Sequence, residues 1–369
     1  MKLRKKSTIS KANKEFISTN SECIGIDITR QAIYTVLLNA RSVNQIRLEK
    51  YAITPLPPHI FNDSGIEDHD QLVAYLQQAV KQLGSSCKNI TTAMPQNLVS
   101  LQTLHYHSQQ TELSLEEFVE FEISQTASLD DSSYDYFILQ QSGSNHQQDI
   151  LLANCNREDL NARLDVFSAA NITPKQMDVD VLAVMNAVNL WIGTAQAELA
   201  EQSLAVFHLG HRGTAALITQ NDRLLYKQEI NLGHEHLMQI VRRNYQLTEE
   251  EAWAMVYATE KPADFASKAG SLFQDQLAQE IQRFLQFYYT ASNHDQGSDV
   301  QHIVICGYPG NPSNPTLGIA ERVSRQVNIP TQQISPITAA QANPRLDNEQ
   351  LLNDGNLLTV AFGLAARGL

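Results

Sequence analysis

A strand–turn–strand pattern occurs twice in this chain of 369 residues, once at the start of each half. The first copy covers residues 24–38 (IGIDITRQAIYTVLL), and the second covers residues 205–218 (AVFHLGHRGTAALI). In each copy a short apolar strand runs into a polar turn, and a β-rich strand returns at once. A third strand follows each copy and completes a β-meander. We therefore predict a duplicated fold in which the two polar turns face each other across a cleft.

The turns of these meanders predict an anion-binding cleft. In a phosphate-binding fold of this kind, successive backbone N–H groups in a turn hold phosphate oxygens. A further strand predicted over residues 302–306 ends in the turn GYPG at residues 307–310. Glycine there lets the backbone approach a ligand closely. The alternative interpretation of this last turn is an ordinary strand-to-helix connection.

Charge and hydropathy exclude several classes of protein. A formal net charge of −13 argues against a nucleic-acid-binding protein. No apolar run approaches the ~20 residues of a membrane-spanning helix, so we expect no direct membrane span. The four cysteines are scattered without metal-ligand spacing, which favours buried thiols in a reducing compartment. We expect a soluble, intracellular protein with two domains.

The N-terminal segment differs in charge from the rest of the chain. Residues 1–20 carry six basic side chains and one acid, Glu15, with few apolar residues. One interpretation is a solvated, disordered tail. The other is attraction to the anionic inner leaflet of a membrane, worth roughly 1 kcal/mol per basic residue near the surface.

Between the first meander and the second half, the pattern changes to α+β. Residues 70–83 predict an amphipathic helix that ends at Gly84. After a strand at residues 90–94, Ser114 and Glu117 form a capping box at the start of a helix. Further strands are predicted at residues 98–106, 134–140 and 149–154, and further helices at residues 157–170, 237–243, 249–256, 273–292 and 357–367. The block before residue 171 is predicted to be an insertion into the first half.

The order of these pieces resembles the actin-like ATPase superfamily, and within it the PilM family of type IV pilus assembly. Six segments carry the resemblance, in chain order: residues 24–28 (IGIDI), 51–58 (YAITPLPP), 177–180 (MDVD), 241–252 (VRRNYQLTEEEA), 284–289 (FLQFYY) and 361–367 (AFGLAAR). Each segment is a weak signal alone, and their collinear order from about residue 22 to the C-terminus makes the resemblance specific.

The resemblance implies an α/β class: a duplicated actin-like (ribonuclease H-like) fold with an inserted α+β subdomain. The implied parts are a disordered basic tail at 1–21, a first actin-like domain at 22–88 and 171–202, the inserted subdomain at 89–170, a second actin-like domain at 203–236 and 300–369, and a helical subdomain of that second domain at 237–299.

The family fold also implies a nucleotide site, with no catalytic residue and no metal ligand assigned. Its expected members are Asp27, Thr29, Arg30 and Gln31 in the first turn, Gly210, Gly213 and Thr214 in the second, Gly233 near the ribose and phosphates, and Gly307 and Gly310 near the adenosine. Acids would hold hydrated Mg²⁺, while glycines would let amides reach phosphate oxygens. The alternative role of Asp27 is that of a strand residue that caps the turn.

Five positions depart from the family pattern. They are His208 in place of an Asp, Tyr34 and Val256 in place of lysines, and the pairs Gly233-His234 and Gly307-Tyr308 in place of glycine pairs. Histidine is a poor Mg²⁺ ligand at neutral pH. We therefore expect weak ATP binding, Mg²⁺ only together with ATP, and weak or lost hydrolysis. A second hypothesis is a zinc site formed by His208, His211, His234, Glu235 and His236.

Two classes of function remain, and the first is favoured. One is a cytoplasmic scaffold, peripheral to the inner membrane, of a type IV pilus or a related competence or secretion machine. The resemblance implies that it docks the cytoplasmic N-terminal segment of a PilN-like bitopic inner-membrane protein, beside other pilus assembly proteins. The alternative is a sugar-kinase-like phosphotransferase that uses the same cleft. A kinase needs a catalytic carboxylate and an intact Mg²⁺–phosphate site, against which His208, Tyr34 and Val256 count.

Overall fold

A computed structural model describes residues 21–42, 45–62, 65–109, 111–141, 147–258, 260–291, 299–308 and 318–369. The predicted tail therefore lies outside the described residues except for Ser21, which begins the first strand. The predicted site residue Gly310 also lies outside them.

Sixteen strands are described. They are β1 (Ser21–Ile28), β2 (Ala32–Ala40), β3 (Ile46–Pro55), β4 (Phe61–Asn62), β5 (Gly65–Ile66), β6 (Ile90–Met94), β7 (Val99–His107), β8 (Ser132–Gln141), β9 (Gln147–Asn156), β10 (Gln176–Val179), β11 (Leu204–Leu209), β12 (Thr214–Gln220), β13 (Arg223–Ile230), β14 (His302–Cys306), β15 (Thr331–Gln333) and β16 (Gln341–Ala342).

Ten α-helices are described with them. They are α1 (His69–Leu83), α2 (Leu115–Ser124), α3 (Arg157–Ala169), α4 (Asp180–Ala195), α5 (His234–Tyr245), α6 (Glu249–Tyr257), α7 (Ser271–Ala291), α8 (Ile319–Val327), α9 (Asn348–Asp354) and α10 (Thr359–Arg367). Short 3₁₀ turns lie at Pro58–Ile60, Gln96–Leu98, Ala197–Leu199, Pro336–Ala339 and Gly355–Leu358, and a π turn lies at Ala266–Gly270.

Two sheets repeat one arrangement, which confirms the predicted duplication. The first has the order β10-β6-β1-β2-β3-β16, and the second has the order β13-β12-β11-β14-β15. In each, an antiparallel meander (β1-β2-β3 or β11-β12-β13) continues through parallel strands beside its first member. The carboxyl ends of the parallel strands β1, β6 and β10 therefore meet at one edge of the first sheet.

Local signals of the sequence explain where several helices begin and end. Gly84 ends α1 in the left-handed region, at φ 54°. Ser114 and Glu117 form the predicted capping box at the start of α2, each accepting a hydrogen bond from the other residue's backbone N–H. These contacts satisfy backbone groups that a helix end leaves without partners.

A third, three-stranded sheet has the order β7-β9-β8, and α2 covers one of its faces through Val119 and Ile123.

Two segments pair in the first sheet although the predicted division assigns them to other parts of the chain. Ile90–Met94, assigned to the insertion, pairs in the first sheet, and Gln341–Ala342, assigned to the second domain, pairs with β3. Parallel neighbours of this kind are distant in sequence, so local pattern does not reveal them. The rest of the division stays a prediction.

The last helix also returns to the first sheet. Gly25 on β1 gives α10 room, because a Cβ there would overlap the Ala361 carbonyl oxygen. Gly363 on α10 in turn lies directly on the backbone of Ala183 in α4. Helix α10 is therefore packed tightly between β1 and α4. Among the described residues, no helix is both long and apolar enough to cross a membrane.

Candidate functional site

Thr29 organises the first turn, which follows Asp27 at the end of β1. Its hydroxyl accepts hydrogen bonds from the N–H groups of Gln31 and Ala32, at 3.2 Å each, and donates to the Ala32 carbonyl at 2.9 Å. The Thr29 N–H donates to the same carbonyl at 3.1 Å, and the Gln31 carbonyl accepts from the Leu56 N–H at 2.7 Å. The turn thus satisfies the main-chain donors of Thr29, Gln31 and Ala32 by itself.

The second turn caps the start of helix α5. The Gly210 N–H donates to the Gly213 carbonyl at 2.9 Å. The carbonyls of Gly210 and His211 accept from the N–H groups of His234 at 3.0 Å and Glu235 at 2.9 Å. The helix N-terminus, ordinarily a ready anion site, is therefore already occupied by carbonyl oxygens.

Three predicted site residues of this region are held by packing and internal hydrogen bonds. Gly233 lies so close to the His211 carbonyl that a Cβ would overlap it. Its N–H donates to the Nδ1 atom of His236 at 3.2 Å. The Thr214 hydroxyl is fully buried and donates to the Leu232 carbonyl at 2.6 Å. A Cβ on Gly213 would lie 2.7 Å from the Oε1 atom of Glu229.

Gly307 and His234 join the second turn to the end of β14. Gly307 has φ +77°, and a Cβ there would overlap the Leu209 carbonyl, so glycine is required. The Nε2 atom of His234 lies 2.8 Å from the Gly307 carbonyl, and its Nδ1 atom lies 2.7 Å from the Tyr257 hydroxyl. A carbonyl only accepts, so Nε2–H donates and Nδ1 accepts from Tyr257. Burial lowers the pKa of His234 to about 4, which keeps this imidazole neutral.

Three of the other departing side chains lie inside the protein, and His208 is half-buried. Val256 is fully buried, and Tyr308 is 1% exposed, with its hydroxyl 3.3 Å from the Nε2 atom of Gln274. Tyr34 is 5% exposed on β2. Burial, with a smaller effect of His234, lowers the pKa of His208 to about 3. A neutral imidazole at position 208 does not supply the negative charge of an Asp to a hydrated Mg²⁺ ion.

The charge of a residue in the first turn acts on a residue of the second turn. Burial, followed by the charges of His234, Arg212 and Arg30, lowers the pKa of His211 to about 3. Arg212 comes from the second turn and Arg30 from the first, so the two turns bring positive charge to the same region. Arg212 also lies 3.6 Å from Glu235 at the start of α5.

Two carboxyl groups lie at the edge where β1, β6 and β10 end. Asp27 lies near the end of β1, and Asp180 is the first residue of α4, directly after β10. Burial raises the pKa of Asp27 to about 6, opposed by the charge of Arg163. Burial, with the charge of Asp27, raises the pKa of Asp180 to about 7, and the Gln96 N–H and Arg163 oppose that shift.

Asp180 and Arg163 are residues that the sequence interpretation did not assign to the site. A signal existed for Asp180, because an acid directly after a strand predicted to neighbour the first one must come close to Asp27. No comparable signal existed for Arg163, one of two arginines in a helix of the predicted insertion. Its importance follows from which strand ends it reaches in the folded chain.

The zinc hypothesis is not supported. Among the residues that the structure describes, no group of three or more His, Cys, Asp or Glu side chains is arranged to hold a metal ion. Both ring nitrogens of His234 are engaged, and the Nδ1 atom of His236 accepts from a backbone N–H.

Two surface cavities lie away from both turns. One of about 440 Å³ is lined by residues 97–100, 127, 131–132 and 154–156, where the third sheet joins the first. The Oδ1 atom of Asn154 is buried in this region without a hydrogen-bond partner among the described residues. A smaller one of about 160 Å³ lies between the end of α4 and the β12–β13 hairpin.

Comparisons with known proteins agree on the fold. A family model described as type IV pilus assembly protein PilM matches residues 25–369. A solved chain described as the PilM-PilN type IV pilus biogenesis complex has a TM-score of 0.75 at 19% identity, covering 94% of this chain and 98% of that one. The ethanolamine utilization protein EutJ of Carboxydothermus hydrogenoformans has a TM-score of 0.52 at 13% identity, covering 94% and 89%. The predicted actin-like fold is confirmed.

Proposed function

Because the chain belongs to the type IV pilus assembly protein PilM family, we propose that it is a cytoplasmic scaffold of a pilus or related competence or secretion machine. It docks the cytoplasmic N-terminal segment of a PilN-like bitopic inner-membrane protein and meets the other assembly proteins at the inner face of that membrane. The observation that carries this proposal is the family match over residues 25–369, together with the likeness to a chain of the PilM–PilN complex.

The cavity of about 440 Å³ supports a docking position between the third sheet and the first. Leu98 on its wall is 39% exposed, which leaves an apolar side chain available as an anchor. In the sheet order β7-β9-β8, the outer strands β7 and β8 also suit the addition of an extended peptide as a further strand.

A pull-down from membranes, followed by titration with synthetic N-terminal peptides of the recovered proteins, tests this function. We expect micromolar or tighter binding that persists after nucleotide is removed. Leu98→Asp should weaken binding about tenfold or more, because a charge replaces the apolar anchor. Leu352→Asp is the matched control, since Leu352 is 43% exposed on α9 and lies outside the cavity wall.

The outcomes separate the two classes of function. If no membrane-protein segment binds and only soluble metabolites or phosphorylated products are recovered, the scaffold function fails and the kinase alternative moves ahead. If a segment binds equally to wild type and Leu98→Asp, the scaffold function stands but the docking position is wrong.

We further propose that ATP binds weakly, that Mg²⁺ enters only with ATP, and that turnover is negligible. Two observations support this proposal. Main-chain N–H groups of both turns already donate hydrogen bonds within the protein, and the His208 imidazole is neutral. Calorimetry with ATP, with and without Mg²⁺, measures this. His208→Asp should strengthen Mg²⁺-dependent binding, because it restores a carboxylate beside the second turn. Submicromolar, Mg²⁺-dependent ATP binding by the wild type with steady phosphate release would overturn the proposal.

A further inference from the structure

Helix α2 carries an aromatic side chain on the face that points away from its own sheet. Val119 and Ile123 of this helix are buried against the β7-β9-β8 sheet. Phe121 lies about 200° around the helix from Val119, at roughly 100° per residue, and is 51% exposed. The solvent face of an amphipathic helix normally carries polar residues, so this phenylalanine is out of place on a helix that contacts only water.

Other exposed apolar side chains lie close to it in the chain. Among the described residues eight large apolar side chains are exposed, and three of them, Leu113, Phe121 and Leu129, fall within residues 113–129. A fourth, Leu98, lies on the wall of the cavity of about 440 Å³. Single exposed apolar residues are ordinary on a protein surface, whereas a group of them indicates a contact surface.

The main chain that presents these side chains is held by its own hydrogen bonds. The Tyr106 hydroxyl on β7 donates to the Leu113 carbonyl at 2.9 Å, and the Tyr106 ring lies 5.4 Å from the Phe118 ring. Ser114 and Glu117 form the capping box at the start of α2. A preformed surface of this kind loses little conformational freedom when a partner binds.

The same segment is strongly acidic. Residues 111–131 contain seven acids and no Lys, Arg or His. Five of the seven acids are exposed: Glu112, Glu116, Glu117, Asp130 and Asp131. Together with Leu113, Phe121 and Leu129 they form what we call the α2 surface. Its charge is complementary to a partner that is rich in Lys and Arg.

The α2 surface continues along the chain into the docking cavity of the proposed function. Ala127, Asp131 and Ser132 line that cavity. Leu129 and Asp130 lie between them in the sequence and belong to the α2 surface. A peptide that leaves the cavity on this side therefore meets acids and apolar side chains next.

The proposed function, on which this inference rests, indicates the occupant. Cytoplasmic residues beside a membrane span carry an excess of Lys and Arg. We propose that the α2 surface binds the basic stretch of the bitopic membrane protein, between its docked N-terminal end and its membrane span. Its Lys and Arg side chains pack their apolar stems on Phe121 and pair with the surrounding acids. The bound bases also shield the acids from repulsion by an anionic leaflet.

Two synthetic peptides of the membrane protein recovered in the pull-down test the proposal. The short peptide ends before the first group of Lys and Arg residues that precedes the span, and the long peptide continues to the span. At about 50 mM NaCl the wild type should bind the long peptide at least about tenfold more tightly than the short one. At about 500 mM NaCl this gain should largely disappear, because salt screens exposed charges.

Two variants remove the apolar and the acidic parts of the surface separately. Phe121→Ser should reduce the gain of the long peptide severalfold, and the double variant Glu112→Lys/Asp130→Lys should abolish it. Both should leave binding of the short peptide unchanged. All three positions are exposed, so these variants should fold like the wild type.

Each variant has a matched control elsewhere on the surface. Phe287→Ser removes an aromatic side chain that is 55% exposed on α7. Asp70→Lys/Glu321→Lys makes the same change in net charge at exposed positions of α1 and α8. Both controls should keep most of the gain of the long peptide.

The outcomes separate this proposal from the scaffold function. If neither peptide binds the wild type, both fail. If the short peptide binds but the long peptide gains nothing, or if its gain survives both variants, the scaffold function stands and the α2 assignment is wrong. A peptide of residues 1–20 that binds the wild type but not Glu112→Lys/Asp130→Lys, without any gain of the long peptide, would assign the surface to this chain's own basic segment and overturn the proposal.

Discussion

In this cleft, burial shifts the pKa values of the titratable side chains more than neighbouring charges do. Burial raises the pKa of the carboxyl groups Asp27 and Asp180 and lowers the pKa of the imidazoles His208 and His234. Each group is pushed toward its neutral form, as expected where water is excluded. The carboxyl groups and the imidazoles therefore make opposite contributions to the pH dependence of stability.

Asp180→Asn should stabilise the protein at alkaline pH. The folded pKa of Asp180, about 7, lies above the ordinary value of 3.8, so the folded state binds the extra proton. The wild-type contribution is fully present below the ordinary value and is lost as the pH rises through about 7. The variant lacks this loss. Its free energy of unfolding relative to wild type should therefore rise from near zero at about pH 4 to about 2 kcal/mol at about pH 8. This value already allows for partial solvation of the side chain. Denaturant unfolding across this pH range measures it.

Asp70→Asn is the control for that measurement, because Asp70 also lies in the first turn of a helix and its side chain is fully exposed. It should leave the pH profile of stability unchanged. An advantage of Asp180→Asn that is the same at all pH values would show that the carboxyl group is not protonated on folding.

His234→Gln should change the stability of the protein at acidic pH. The folded pKa, about 4, lies below the ordinary 6.5, so the unfolded state binds more protons between these values. The contribution of His234 to stability is fully present above the ordinary value of 6.5 and is lost as the pH falls through about 4. Glutamine keeps a donor for the Gly307 carbonyl and an acceptor for Tyr257, so the variant should lose less stability on acidification. His69→Gln, which changes the exposed first residue of another helix, should retain the wild-type acid slope.

At the scale of elements, the sequence predicted those parts of the fold whose signals are local. The meanders, the Gly84 stop and the Ser114 capping box each depend on neighbours within a few residues. Helix α4 was missed because its side chains are buried on nearly all sides, which removes the polar face that amphipathic periodicity requires. The two-residue strand β16 is too short to give a pattern, and the position of Arg163 depends on three distant segments. Sequence pattern therefore could not predict contacts between segments that are far apart in the chain.

The contact between α10 and α4 gives a prediction at this scale. Gly363→Ala places a methyl group into the Ala183 backbone, so the two helices must separate, and the cost should be about 3 kcal/mol. Gly193→Ala is the matched control, also a helical glycine, but with no atom within 4 Å of the added methyl group. It should be neutral or stabilising by up to about 1 kcal/mol. Equal effects of the two substitutions on denaturant unfolding would contradict this packing.

For the whole molecule, Arg367 joins the last helix to two sheets. Its Nε atom lies 3.2 Å from the Oδ2 atom of Asp178 on β10, and Asp178 is 8% exposed. Its guanidinium also lies over the Phe137 ring on β8, 5.1 Å from the centroid. Three chain segments that are distant in sequence thus meet at one cation, next to the sheet that we propose as part of the docking site.

Arg367→Met should loosen the β7-β9-β8 sheet and leave the second large sheet intact. The substitution leaves Asp178 buried without its partner and removes the cation–π contact, at a cost of about 2 kcal/mol after allowance for the partial exposure of Arg367. Hydrogen exchange should therefore quicken in β7, β8 and β9 but not in β11 or β12, and the affinity for a docked peptide should fall with it. Arg325→Met is the control, because Arg325 and its partner Glu321 are 79% and 81% exposed, and such a pair contributes little. Uniform exchange across both sheets in Arg367→Met would mean that the molecule opens as one unit and that Arg367 does not selectively hold the β7-β9-β8 sheet.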